Sequence, residues 1–123
     1  MGRDARSILV VDDDEAMRGV VQRLLARRGY EVVAVPDGAA ALEAASEKRF
    51  DVALIDFVMP QMDGRDLVLA LRAASPALRA VLMSGGDRAD DAAAVGATFI
   101  GKPFAPAALA AVIEGLFTEP RLD

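Results

Sequence analysis

Residues 8–14 read Ile8-Leu9-Val10-Val11-Asp12-Asp13-Asp14, and the reading of this stretch decides the fold. Four consecutive apolar residues suit a short strand buried on both faces. Three carboxylates follow at once, and then a segment of helical period begins. Over Ala16–Arg28 the apolar Met17, Val20, Val21, Leu24 and Leu25 fall on one face, with Arg18, Arg23 and Arg27 elsewhere. The sequence therefore opens on a strand, an acidic loop and an amphipathic helix.

The same alternation repeats along the chain. Further β-branched runs stand at Glu31–Val35, Val52–Ile55, Ala80–Met83 and Thr98–Ile100, with helix-like segments between them. Gly29 fits the end of the first helix and Gly96 the end of the fourth. Pro76 follows the third helix, Pro106 sits near the start of the fifth, and Pro120 closes it. Strict βα alternation predicts a doubly wound (βα)₅ α/β domain, with a five-stranded parallel sheet and helices on both faces. Of the doubly wound strand orders, 2-1-3-4-5 suits five strands best. All 123 residues are expected to form one domain, with a core over about 7–118.

Composition narrows the chemistry. The chain has no cysteine and no histidine. Disulfides, thiol catalysis and phosphohistidine chemistry on this chain itself are thereby excluded, and the usual zinc ligands are missing. A net charge of -5 disfavours direct contact with nucleic acid or an anionic membrane. Hydrophobic residues make up 54%, yet the longest uncharged stretch, Pro103–Ile113, is well short of a bilayer crossing. Residues 1–7 lack the apolar segment of a signal peptide, so a cytoplasmic domain is expected.

In such a sheet, ligands bind beyond the carboxyl ends of the strands. Asp12, Asp13 and Asp14 follow the first strand, Asp56 the third, Ser84-Gly85-Gly86 the fourth, and Lys102-Pro103 the fifth. Each has an ordinary explanation alone. Asp14 reads as the cap of the first helix, with Glu15 in its first turn. Asp12 and Asp13 could be solvated loop charges, and Lys102 a surface lysine. Together they point to chemistry. Carboxylates gathered at one edge repel unless a cation is present, and a hard ion such as Mg²⁺ is held by carboxylate oxygens. Beside Mg²⁺ and Lys102, Asp56 can attack phosphorus and form an acyl phosphate, with Ser84 donating to the new phosphoryl oxygen.

Four segments resemble the CheY-like receiver domains of two-component signalling. They are Ile8-Leu-Val-Val-Asp-Asp13, Asp56-Phe-Val-Met-Pro-Gln-Met-Asp-Gly64, Val81-Leu-Met-Ser84 and Gly101-Lys-Pro-Phe104. The resemblance implies the flavodoxin-like fold and a signalling switch with only weak intrinsic phosphotransfer and autodephosphorylation activity. It implies Asp56 as phosphoacceptor, Ser84 as switch hydroxyl and Lys102 as the phosphate-pairing lysine, preceding a cis proline bond. As Mg²⁺ ligands it implies Asp13 and Asp56 directly, Asp12 mostly through water, and the backbone carbonyl of Val58. Phe99 matches the rotating aromatic of the family's output face; otherwise it is an ordinary buried strand residue. The implied partners are a histidine kinase or histidine phosphotransfer protein upstream and an output protein or domain downstream.

Three departures stand out. Ser84 and Lys102 are closer in sequence than in most relatives by about one helical turn, at the expense of the fourth helix, which Gly85, Gly86, Asp90 and Asp91 weaken further. Gly85 replaces the usual alanine, and Ala105 stands where many relatives have a polar cap. The Met-Ser-Gly run is similar to receivers of hybrid histidine kinases, so the domain is either a stand-alone receiver or an excised piece. The rival reading, an Mg²⁺-dependent aspartyl-phosphate hydrolase of the haloacid dehalogenase type, needs an acid two residues after its nucleophile. Val58 stands there and cannot transfer protons. A nucleotide-binding domain would need a glycine-rich loop where Asp12-Asp13-Asp14 stands, and a docking-only pseudo-receiver would have an incomplete site.

Overall fold

Each of the five apolar runs forms a strand, and each segment of helical period forms a helix. The computed structural model describes residues 6–118. In chain order the elements are β1 (Ser7–Val11), α1 (Glu15–Arg27), β2 (Glu31–Val35), α2 (Gly38–Glu47), β3 (Val52–Asp56), α3 (Gly64–Ala74), β4 (Arg79–Ser84), α4 (Ala89–Ala94), β5 (Thr98–Gly101) and α5 (Pro106–Thr118). All strand pairs are parallel, and the order is β2-β1-β3-β4-β5, as expected. Four strands extend one residue beyond one or both ends of their apolar runs, because Ser7, Asp56, Arg79, Ser84 and Gly101 continue the ladder. The Pro120 expectation lies outside the described residues.

Side chains of the central strands alternate between two cores. Leu9, Val11, Ala53, Ile55, Ala80 and Leu82 face Leu67, Val68 and Leu71 of α3 and Ala92 of α4. Ile8, Val10, Val52, Leu54, Val81 and Met83 face Val21 and Leu25 of α1 and Leu109 and Ile113 of α5. β1 and β3 are buried throughout, which is why they read as unbroken apolar runs. The edge strands β2 and β5 are only partly covered. On α1 the expected stripe narrows: Val21 and Leu25 are buried, whereas Val20 lies at its margin and is 50% exposed.

Local signals set the helix ends. Asp14 caps α1, its carboxylate accepting from the amides of Ala16 and Met17. Gly29 (φ 93°) and Gly96 (φ 67°) terminate α1 and α4 in the left-handed region that glycine tolerates. Pro106 is the first residue of α5, where its missing N–H costs nothing. Gly85 and Gly86 lie in the β4–α4 loop rather than in the helix, leaving α4 with six residues.

Candidate functional site

The parallel sheet brings the carboxyl ends of β1, β3, β4 and β5 to one edge, and the polar residues meet there. Asp12 continues β1 by one step, its amide donating to the Val35 carbonyl at 3.2 Å. It is 1% exposed, and both carboxylate oxygens are engaged: Oδ1 accepts from the Asp14 amide at 3.0 Å and Oδ2 from Lys102 Nζ at 3.2 Å. Asp56 ends β3 opposite Met83 of β4, and its Oδ1 accepts from the same Lys102 Nζ at 3.2 Å. Asp13 is exposed. Ligand atoms of Asp12, Asp13 and Asp56 all lie within 4.8 Å of one another. Ser84 is buried at the end of β4, and its Oγ accepts from the Gly86 amide at 3.1 Å.

Backbone bonds fix these positions. The Lys102 amide donates to the Ser84 carbonyl at 2.8 Å, tying the lysine to the serine's strand, and the Lys102–Pro103 bond is cis. The Phe57 amide donates to the Met83 carbonyl, and the Gly64 amide to the Phe57 carbonyl, each at 2.8 Å. Gly64 has no substitute: an added Cβ would lie 2.7 Å from Leu82 Cδ2 and 2.9 Å from both Asp56 O and Phe57 Cα. Val58 is exposed on the loop beyond Asp56. Phe99 is half-buried and packs against the core on the α3 side.

The electrostatics follow from crowding. Burial raises the Asp56 pKa, the Lys102 charge opposes this, and the neighbouring Asp12 and Asp13 carboxylates raise it further. For Lys102, burial favours the neutral amine. Asp12 and Asp56 together outweigh it and hold the pKa above its ordinary value. One fixed ammonium thus offsets part of the charge of three carboxylates. Oxygen-only donors at this spacing suit a hard divalent ion such as Mg²⁺ better than a soft metal. A separate cavity of about 630 Å³, lined by Phe50, Leu71 and Leu78 among others, lies at the amino ends of the strands and includes none of these residues.

Two contacts escape the sequence reading. Arg18 donates from Nη1 to the Asp12 carbonyl at 2.9 Å and so braces the acidic loop. Its place one turn beyond the cap residue Asp14 is a signal that could have found it. The Arg88 guanidinium lies 4.5 Å from the centre of the Phe57 ring. Thirty residues lie between the pair, and no local spacing announces them.

Fold and site together define a doubly wound α/β domain with a carboxylate-and-lysine centre at the carboxyl edge of its sheet. The chain belongs to the response regulator receiver domain family of two-component systems, whose family model matches residues 8–114. Among curated proteins it is similar to the transcriptional regulatory protein PrrA of Mycobacterium tuberculosis, 38% identical over 113 residues, or 89% of this chain and 48% of that one. The chain spans about half the length of the curated relatives it matches. Among solved structures it is similar to the chemotaxis protein CheY4 of Vibrio cholerae, with 33% identity, a TM-score of 0.86 and coverage of 92% and 99%. It also resembles the receiver domain of the hybrid histidine kinase CckA, with 33% identity, a TM-score of 0.80 and coverage of 91% and 99%.

Proposed function

We propose that this domain, with its core over about 7–118, takes a phosphoryl group from a partner phosphohistidine onto Asp56. The observation that carries the reading is Lys102 Nζ, held 3.2 Å from both Asp12 and Asp56 beside the exposed carboxylate of Asp13. The donor is a histidine kinase or a histidine phosphotransfer protein in the cytoplasm, and the recipient of the signal is an output protein or domain. Among the described residues no helix is long and apolar enough to cross a membrane.

Asp13, Asp56 and the Val58 carbonyl would hold Mg²⁺, with Asp12 contributing through water. When bound, the ion supplies positive charge against the repulsion between carboxylates and phosphoryl oxygens. An Asp56 carboxylate oxygen forms the bond to phosphorus as the bond from phosphorus to the donor's nitrogen breaks. That nitrogen keeps the electron pair. Lys102, already beside Asp56, pairs with the phosphoryl oxygens, and Ser84 turns its hydroxyl to donate to one of them. Movement of Ser84 and Phe99 then alters the face formed by α4, β5 and α5, where a six-residue helix is readily reordered.

Intact-mass measurement after incubation with acetyl phosphate and Mg²⁺ tests this. One added phosphoryl group is expected, absent in Asp56→Asn and after EDTA. Modification that persists in Asp56→Asn would move the acceptor to another residue.

A further inference from the structure

The β4–α4 loop, Gly85-Gly86-Asp87-Arg88, is seated at two points that flank Asp56. At its start the Gly86 amide donates to Ser84 Oγ at 3.1 Å. At its end Arg88 stacks 4.5 Å from the centre of the Phe57 ring, and Phe57 is the residue after Asp56. Between these points Gly85 and Gly86 are exposed, and a Cβ added at Gly85 would meet nothing within 4 Å. The following helix adds modest restraint: α4 has six residues, its N-cap Arg88 makes no capping bond, and Asp87 Oδ1 accepts from the Ala89 amide at 3.2 Å. The guanidinium is itself held by Asp91 at 3.4 Å, and Asp91 by Arg65 at 3.1 Å. A glycine pair samples many conformations, so the anchors at its two ends decide which one it keeps.

We infer that Arg88 is a positioning residue for phosphoryl transfer at Asp56, acting through the Gly86 amide on the Ser84 hydroxyl. The inference rests on the phosphoacceptor reading of Asp56. A serine hydroxyl has one proton and two acceptor lone pairs. The Gly86 N–H occupies one lone pair and so limits the directions open to the proton, leaving it to donate to a transferring phosphoryl oxygen. Arg88, stacked on Phe57, keeps that amide in place. Arrival and hydrolysis of the phosphoryl group develop charge on the same oxygens, so both steps draw on this hydrogen bond.

The test measures phosphorylation by acetyl phosphate, and decay of the product, at fixed Mg²⁺ for wild type, Arg88→Gln, Arg88→Lys and Phe57→Leu. Arg88→Gln is expected to slow both steps about fivefold, the effect of one partly lost hydrogen bond. Arg88→Lys, which keeps a cation over the ring, recovers most of the rate. Phe57→Leu reproduces the slowing with the charge intact, and adding Arg88→Gln to it changes little further. Amide exchange over residues 85–89 speeds up in unphosphorylated Arg88→Gln. Should Phe57→Leu fail to fold, the two surface variants at Arg88 still carry the test. Unchanged rates in Arg88→Gln, faster decay, or full slowing on top of Phe57→Leu would overturn the Arg88 role alone. A wild-type protein that takes up no phosphoryl group would overturn the phosphoacceptor reading, and this inference with it.

Discussion

Asp56 stands in a place that disfavours ionisation. Burial raises its pKa, with Asp12 and Asp13 adding to the shift and Lys102 opposing it, so the folded chain keeps the Asp56 proton to a higher pH than the unfolded chain does. Above that raised pKa the ionised group therefore subtracts stability, and the deficit fades as pH falls toward the ordinary value of 3.8. Asp56→Asn is expected to raise the Tm at neutral pH without divalent ions. The gain should shrink near pH 4; thermal unfolding across pH checks this, and a lower Tm for Asn at pH 7 would refute it. A second expectation concerns phosphoryl lifetime. Hydrolysis needs a water held in line with the bond to phosphorus, and the residues two beyond Asp56 and two beyond Ser84 are Val58 and Gly86, which have no polar side chain. Val58 is 63% exposed, and a Cβ at Gly86 would approach only Ser84 Oγ at 3.9 Å, so both positions have room for a polar group. Val58→Asn and Gly86→Glu should each speed decay about tenfold; slower decay in either would contradict the positioning argument. Asp12, Asp13, Asp56, Ser84 and Lys102 were legible as a group because each lies within two residues of the end of an apolar run. That Lys102 bridges two carboxylates, or that Arg88 reaches Phe57, was not, because such contacts depend on how long side chains cross between elements.

Helix α4 is short, Asp87 Oδ1 accepting from its first amide, and neighbours hold it. Arg72 of α3 donates to the carbonyls of Leu78, Val95 and Gly96, tying the end of α4 and the approach to β4 back to α3. Arg65 of α3 pairs with Asp91 nearer the start of α4. Removing the Arg72 fork leaves three carbonyls to find water, so Arg72→Met is expected to destabilise the domain by about 2 kcal/mol. Denaturant unfolding gives the total, and hydrogen exchange should show the loss concentrated in residues 89–97; uniform protection across the domain would mean that α4 stands by itself. Helix α3 depends on a different device. Gly64 begins it against Leu82 and the Asp56–Phe57 backbone, so Gly64→Ala forces main chain to move and should cost about 2 kcal/mol while displacing Asp56. Elements read best from sequence where the apolar residues are continuous, as in β1 and β3, or periodic, as in α1, and these were placed to within a residue. Gly96 marked the end of α4, but its start was not readable, because alanines, aspartates and a glycine pair carry no periodic signal and the arginines that position the helix sit in another element.

Across the whole molecule the parallel topology aligns charge with direction. The helices run back against the strands, so their amino ends gather at the carboxyl edge of the sheet, where Asp12, Asp13, Asp14, Asp37, Asp56 and Asp63 also collect. Asp14, Asp37 and Asp63 are consumed as helix caps. Asp12 is consumed by Lys102 and the Asp14 amide, which leaves Asp13 and Asp56 as the carboxylates with oxygens to spare. This edge was legible from alternation alone; the division of labour among its carboxylates was not, since it depends on hydrogen bonds. It leads to a linkage prediction for the entire fold. An ion bound by the folded state and not by the unfolded chain stabilises by an amount set by its concentration over its Kd, about 2.7 kcal/mol at a hundredfold excess. For a domain of this size that corresponds to a rise in Tm of about 10 °C. Mg²⁺ should therefore raise the Tm of the wild type, and the increment should vanish in Asp13→Asn and in Asp56→Asn, even though Asp56→Asn starts from a higher Tm. Protons compete for the same oxygens, and because the Asp56 pKa is raised the increment should begin to fall at a pH above the ordinary carboxylate range. Scanning calorimetry with Mg²⁺ titrated at several pH values measures each part. A Tm that ignores Mg²⁺ at neutral pH, or an increment that survives Asp13→Asn, would mean that these carboxylates do not hold the ion.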